Sequence, residues 1–160
     1  MTAPYEPTSD LLKAIVSGDV LLAGDEFADA NLQRLIDLTR DNDRSHRDWA
    51  TMLLAQQDAD TIAIRTALCA AADDEDDIVR AEAICGLAMR APALALPLVA
   101  RELAGESACM ALFEAAEILA HPSLIDIVRI WAEPSDSTML DDAALRALRA
   151  CEQAAQRGTD

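Results

Sequence analysis

Residues 73–88 have the sequence DDEDDIVRAEAICGLA, in which five consecutive carboxylates precede an alanine-rich apolar run. Acidic side chains stabilise the start of a helix, where unpaired backbone N–H groups and the positive end of the helix dipole lie. The run does not fit a calcium-binding loop that starts at Asp73, because the required sixth-position Gly is Ile78 and the twelfth-position Glu is Ile84. We therefore expect a turn that begins a helix.

The helix that follows this turn recurs along the chain at a nearly constant interval. The segments RSHRDWATMLLAQ, DIVRAEAICGLAM and SACMALFEAAEILAH begin at residues 44, 77 and 107 and align with one another. Arg47 and Arg80 then coincide at an offset of 33, and Ala83 and Ala115 coincide at an offset of 32. Repetition at this interval is typical of stacked structural repeats.

A second amphipathic pattern precedes each recurring segment, as in NLQRLIDLTR, where apolar residues recur at steps of three and four. Two helices joined by a short polar turn form a hairpin that cannot bury its apolar face alone, whereas stacked hairpins can. With 33 alanines and only 3% aromatic residues, the core must consist of small and aliphatic side chains. We predict about four hairpins, over residues 31–57, 58–90, 91–121 and 122–155.

The two ends of the chain lie outside this pattern. SDLLKAIVSG predicts a short helix that ends at Gly18, and an irregular connector follows it. We expect residues 1–30 to cap the first hairpin and residues 156–160 to form a disordered tail. The whole chain, 1–160, is predicted to be a single all-α domain.

Short oxygen-bearing side chains mark the expected starts of the second helices. Asp43 and Asp76 are predicted N-caps, and Glu106 or Ser107 is predicted to serve in the third unit. In the fourth unit, Asp141 and Asp142 are expected in the first turn of the last helix.

The motif D-x-x-x-R-x-x-A, present as Asp43, Arg47 and Ala50 and again around Asp76 and Arg80, resembles the short HEAT repeats named after phycobilisome lyases. The resemblance covers residues 30 to 155 and implies a right-handed α-solenoid, a HEAT-like superhelix. It also implies a structural ladder in which Asp43 stacks with Arg47 and Asp76 with Arg80. In the third unit Met110 falls near the arginine position.

The charge balance restricts the class of partner. Asp and Glu number 29 against 13 Lys and Arg, which gives a formal net charge of −16. Because nucleic acids and anionic membranes bind through cations, we expect neither as a partner and favour a basic protein. The sequence has no recognisable secretion signal and no apolar run of membrane-spanning length, so a cytoplasmic location is predicted.

Residues that could support catalysis or bind a metal are sparse. The two histidines, His46 and His121, have neither the His-Glu pairs of di-iron HEAT proteins nor a facial triad. The four cysteines include no C-x-x-C pair, and they are expected to be reduced thiols. We predict no enzyme activity, no metal and no cofactor.

The candidate docking surface follows from the resemblance, because the second helices of HEAT-like arrays line the concave face. The register aligns Trp49 with Glu82 and Glu114, although Trp49 could equally be a core residue. The full predicted partner-binding set is Trp49, Met52, Glu82, Cys85, Met89, Glu114 and Glu117. A further acidic turn of Asp73, Asp74 and Glu75 exceeds what helix capping requires, and we expect it to contribute to partner choice.

The expected function is a protein-binding scaffold that presents an acidic concave face to a basic partner. A sharper form is an inhibitor, such as the immunity partner of a basic bacterial toxin, and the chain is expected to be a monomer or a weak homodimer. The alternative is a bilin-lyase-like enzyme or a small-ligand carrier. A deep apolar pocket would favour the alternative, and an open acidic groove would favour protein binding.

Overall fold

The computed structural model describes residues 5–158. Helices and loops make up this part of the chain, without a strand, so the all-α prediction is confirmed. In chain order the helices are α1 (Asp10–Ser17), α2 (Ala28–Leu38), α3 (Arg44–Ala55), α4 (Ile62–Ala71), α5 (Asp77–Arg90), α6 (Pro92–Leu103), α7 (Met110–Leu119), α8 (Ile125–Trp131) and α9 (Thr138–Arg157), with a 3₁₀ turn at Pro122–Leu124 before α8.

The helices form two layers. Helices α3, α5, α7 and α9 pack each against the next in one row, and α2, α4, α6 and α8 each pack on the row helix that follows them in the chain. Each pair from α2/α3 to α8/α9 is therefore a helical hairpin, and α1 packs on α3. None of the helices within residues 5–158 combines the length and the hydrophobicity needed to cross a bilayer.

The core between the layers consists of aliphatic side chains and alanines. Leu54, Ile84 and Leu87 are fully buried in the row helices, and Leu68 and Val99 are buried in the outer layer. Alanines fill the remaining contact positions, for example Ala50, Ala83, Ala115 and Ala144. Because these side chains are small, neighbouring row helices can approach closely.

Helices α3 and α5 approach each other closely at Gly86 of α5. A Cβ atom added there would lie 2.8 Å from the Cβ of Ala55 and 3.0 Å from its Cα. At the same junction Arg90 donates through Nη1 to the carbonyl oxygens of Ala55 and Gly86, each at 2.9 Å, and it also binds the carbonyl of Gln57. The arginine thus caps the end of α3 while the glycine lets α5 lie against it.

The starts of α3, α5 and α7 are evenly spaced along the chain. Their N-caps are Asp43, Asp76 and Cys109, and the first two accept hydrogen bonds through their side chains from N–H groups of the first turn. The predicted N-cap at Glu106 or Ser107 is wrong, because those residues belong to the irregular loop after α6. Cys109 contributes no side-chain cap.

The ends of the described chain differ in part from expectation. Gly18 ends α1 in the left-handed conformation, with φ of 81°, as its position predicts. In α9, Asp141 lies in the first turn and Asp142 follows it. The predicted tail boundary is wrong, since α9 continues to Arg157, whereas residues 159–160 lie outside the described part.

Replacing Gly86 by Ala tests the close approach of α3 and α5. Alanine would gain about 1 kcal/mol of helix propensity, but the forced contacts cost about 1 to 3 kcal/mol because one of them is with backbone. We expect Gly86→Ala to lower the free energy of unfolding in urea by about 1 kcal/mol. Gly158→Ala is the matched control, since the atom nearest to an added Cβ there lies 3.7 Å away and φ is −83°. A Gly86→Ala protein as stable as the wild type would contradict the packing.

Candidate functional site

The acidic turn at residues 73–77 joins two hairpins through arginines. Asp76 caps α5 by accepting from the N–H groups of Ile78 and Val79, at 3.0 and 3.2 Å. The guanidinium of Arg44, on α3, donates to the same carboxylate through Nε at 2.8 Å and Nη2 at 3.1 Å. This charged hydrogen bond is the main cause that lowers the pKa of Asp76 below its usual value. Asp76 is therefore occupied within the fold.

Arg47 makes the most extensive contacts at this junction. It is 8% exposed, and its Nε donates to Asp74 Oδ2 at 2.8 Å while Nη2 lies 3.2 Å from Glu75 Oε1. Its Nη1 donates to the carbonyl oxygens of Asp41 and Asn42, at 3.1 and 3.3 Å. One side chain thus holds its own hairpin's turn and the acidic turn of the next hairpin.

Arg80 repeats half of this arrangement one hairpin later. Its Nη1 donates to the carbonyl oxygens of Asp74 and Glu75, at 3.0 and 3.2 Å. Asp74 and Glu75 lie 33 residues after Asp41 and Asn42, whose carbonyl oxygens Arg47 binds, just as Arg80 lies 33 residues after Arg47. The carboxylate partner differs, because Nε and Nη2 of Arg80 reach Glu102 on α6, at 3.1 and 3.0 Å.

These contacts correct the predicted ladder. Asp43 and Asp76 direct their carboxylates to backbone N–H groups at the N-caps, so neither is hydrogen-bonded to the arginine of its own unit. Arg47 and Arg80 instead bind turn carbonyls together with an acid further along the chain. At the next recurrence of the arginine position, the residue is the buried Phe113 rather than Met110.

The acids of this turn that exceed the needs of helix capping contact arginines within the chain. Asp74 and Glu75 contact Arg47, and Asp73 lies 3.4 Å from Nη1 of Arg101. Asp73 and Glu75 are largely exposed, with side-chain exposures of 77% and 87%, whereas Asp74 is largely buried. The shortest and least exposed of these pairs, Arg47 with Asp74, joins the first hairpin to the second.

Removing the Arg47 side chain tests this role. Arg47→Ala leaves Asp74 and two turn carbonyls without their donor, and we expect a loss of about 2 to 3 kcal/mol in the free energy of unfolding. Arg65→Ala is the matched control, because it breaks an exposed ion pair with Asp60 and should cost much less stability. Equal losses for the two variants in urea denaturation would show that Arg47 is an ordinary surface cation.

A second group of carboxylates lies on successive row helices. Asp48 on α3, Glu82 on α5 and Glu114 on α7 are close enough for the first and last to act electrostatically on Glu82. Partial burial, followed by the charges of Asp48 and Glu114, raises the pKa of Glu82 from 4.5 to about 7. Neither Glu82 nor Glu114 has a hydrogen bond or an ion pair with another residue in the described range. We call Asp48, Glu82 and Glu114 the carboxylate row.

The remaining predicted docking residues divide among different environments. Cys85 is 8% exposed, and burial raises the pKa of its thiol to about 12, so its placement on a docking face is wrong. Met89 is 57% exposed, and Glu117 lies 3.4 Å from Nε of Arg146 on α9. Glu82 and Glu114 are the predicted docking carboxylates that have no cationic partner among residues 5–158.

Trp49 and Met52 belong to a groove between α3 and the amino-terminal part of the chain. Both are half-buried, and they line an open groove of about 440 Å³ together with apolar residues that include Ile15, Val16 and Leu22. The ring of Trp49 stacks on Tyr5 with centroids 5.5 Å apart. Trp49 is thus neither a core residue nor a free anchor.

Residues 5–9, which we call the strap, lie across α3. The Tyr5 hydroxyl donates to Asp48 Oδ2 at 2.6 Å, and Thr8 Oγ1 lies 3.0 Å from Nε2 of His46. Pro7 is buried. The repeat pattern contains no signal for these contacts, because they join a non-repeating segment to the first unit.

Two other grooves are lined by charged side chains, and a small pocket of about 170 Å³ beside Phe113 and Trp131 is mainly apolar. The groove of about 510 Å³ is lined by Arg40, Asp41, Arg47, Asp74 and neighbouring residues, and the groove of about 240 Å³ lies beside Arg80 and Glu102. Among residues 5–158, no three His, Cys, Asp or Glu side chains are grouped so that they could hold a metal ion.

The fold resembles that of YibA from E. coli, a structural-genomics target solved by X-ray crystallography. The sequences are 22% identical, the TM-score is 0.59, and the similarity covers 86% of this chain and 54% of YibA. The chain therefore spans about half the length of YibA, and at this identity the likeness concerns the fold alone. No family model matches the sequence, and no curated protein matches it.

The position of Glu82 predicts a pH-dependent stability. Because its pKa is raised in the folded state, the folded protein binds this proton more tightly than the unfolded chain does, and stability falls as pH rises from about 4.5 through about 7. Glutamine imitates the protonated acid, so Glu82→Gln should raise the melting temperature at pH 8 and leave it unchanged near pH 4. Glu26→Gln, at an exposed site, is the control. A Glu82→Gln protein that melts lower than wild type at pH 8 would contradict the assignment.

Proposed function

We propose that this chain is a non-enzymatic protein-binding module of HEAT-like repeats that presents the carboxylate row to a basic protein partner. The observation that carries the proposal is Glu82, a half-buried carboxylate that lies between two others and has no cationic partner among residues 5–158. Crowded carboxylates raise the free energy of the unbound protein. A partner cation would relieve that repulsion on binding.

The contacts of the arginines within the chain also support a basic partner. Arg44, Arg47, Arg80, Arg90 and Arg101 bind carbonyl or carboxylate oxygens at the junctions between helices. Their guanidinium groups are therefore occupied by oxygens of this chain. With a formal net charge of −16, the exterior has an excess of negative charge that would steer a basic protein toward it.

An inhibitor is the sharper form of the proposal. A rigid row of carboxylates could occlude a cationic active site, as the immunity partner of a basic toxin would. The likeness to YibA is one of fold and names no activity. The inhibitor form therefore predicts a partner whose own activity is lost when the two proteins are mixed.

The alternative, a bilin-lyase-like enzyme or a ligand carrier, requires a deep apolar pocket. The grooves of about 510 and 240 Å³ are lined by charged side chains, and the more apolar groove beside Trp49 is open. A more enclosed apolar pocket beside Phe113 and Trp131 holds only about 170 Å³, less than the roughly 300 Å³ at which ligand pockets begin. These features favour the binding module. Saturable tetrapyrrole binding at micromolar concentration would overturn that choice.

The test is affinity capture from a lysate of the source organism with the full chain immobilised. We expect wild type to retain a basic protein at about 0.05 M salt and to release most of it at about 0.5 M, because screening weakens exposed ion pairs. A Glu82→Gln/Glu114→Gln variant should retain about tenfold less, since two unpaired charges are gone.

A Glu26→Gln/Glu133→Gln variant is the matched control, because it removes the same charge from exposed sites outside the row. It should retain as much of the basic protein as wild type does. Equal capture by the control and by the Glu82/Glu114 variant would rule out the carboxylate row as the docking face.

A further inference from the structure

The strap occupies one end of the carboxylate row. Tyr5 stacks on Trp49 and donates its hydroxyl to Asp48, the member of the row on α3. Asp48 in turn acts electrostatically on Glu82. The row therefore has a covered end at α3 and an uncovered part at Glu82 and Glu114.

The attachment of the strap depends on a few side chains. Within the described chain, residues 5–8 make no backbone hydrogen bond to α3, and Tyr5 remains 57% exposed despite its contacts with Trp49, Asp48 and Arg44. Thr8 and His46 supply one further exposed hydrogen bond, and Pro7 is the one buried residue of the strap. Segments with few buried contacts and no shared backbone hydrogen bonds open at low free-energy cost.

The chemistry of the covered end indicates what could replace Tyr5. Tyr5 offers a flat ring to the indole and a hydrogen-bond donor to a carboxylate. An arginine guanidinium can do both, since it stacks on aromatic faces and donates hydrogen bonds to carboxylates. It would also bring a positive charge close to Glu82, which has no cationic partner among residues 5–158. The internal cation beside Asp48 is Arg44, which is held by Asp76, and its Nη1 lies 3.4 Å from both Asp48 Oδ2 and the Tyr5 hydroxyl oxygen.

We propose that the strap is an internal competitor for this face, and that an arginine-bearing segment of the basic partner displaces Tyr5 from Trp49 and Asp48 and continues across Glu82 and Glu114. The inference rests on the proposed function, because it takes the carboxylate row to be the docking face. It adds the side chain that the partner uses and the segment that it must remove. In the free protein the strap lowers the affinity by holding the covered end closed.

The first measurement is the affinity for a nona-arginine peptide, with wild type, Tyr5→Ala and Tyr5→Phe. A strap closed in about 90% of molecules weakens binding about tenfold, so Tyr5→Ala should bind about three- to tenfold more tightly than wild type. Tyr5→Phe keeps the ring but loses the hydrogen bond to Asp48, and should fall between them. Unchanged or weaker binding by Tyr5→Ala would overturn the inference.

The second measurement follows the strap directly. Tyr5 is the only tyrosine in the chain, so ¹³C-labelled tyrosine gives one set of ring signals in the wild-type protein. On saturation with nona-arginine these signals should move from the positions of a ring stacked on indole to those of tyrosine in an unstructured peptide. Unmoved signals from a peptide-saturated protein would equally overturn the inference.

The Glu82→Gln/Glu114→Gln variant separates this inference from the proposed function. Loss of peptide binding in this variant, with no tightening by Tyr5→Ala, would reject the strap and keep the carboxylate row as the docking face. Equal peptide binding by this variant and by the Glu26→Gln/Glu133→Gln control would reject the docking face itself, and the inference with it.

Discussion

The arrangement of the first hairpins depends on the fork of Arg47, which binds two carbonyl oxygens of its own turn and the acidic turn of the next hairpin. Asp43 uses its carboxylate to cap α3, so Arg47 is not paired with it and its guanidinium can reach the next hairpin. Arg44 and Arg80 complete the junction from either side of the same acidic turn. Four of the five adjacent carboxylates contact a guanidinium, from Arg44 and Arg47 of the preceding hairpin or Arg101 of the following one, and this pairing lets them lie together.

The recurrence of the arginine fork ends after the second hairpin. Where Arg47 and Arg80 would recur, Phe113 is buried and meets Trp131 edge-on with ring centroids 6.2 Å apart. Trp131 donates through Nε1 to the carbonyl of Leu103 at 2.9 Å, so one hydrogen bond to the preceding hairpin remains. An aromatic pair thus replaces an arginine fork in the same structural position.

Much of the fold could be predicted from the sequence because its determinants are local. Apolar spacing located the paired helices, and Asp43, Asp76 and Gly18 lie where their backbone preferences place them. The partners of Arg47 and Arg80 could not be predicted, because a long side chain can reach several oxygens and only packing selects among them. The contacts of Tyr5 with Trp49 and Asp48 escaped for a related reason, since they join distant segments outside the repeat.

The carboxylates fall into two groups: some stabilise the fold through arginines, and others have no cationic partner in the described chain. Asp74 and Asp76 have guanidinium partners, whereas Glu82 and Glu114 have none among residues 5–158. NMR titration of isotopically labelled wild-type protein with nona-arginine tests this directly. The account predicts the largest shifts at Glu82, Glu114 and the Trp49 indole, with residues 73–77 nearly unchanged. Shifts concentrated at residues 73–77 would contradict it.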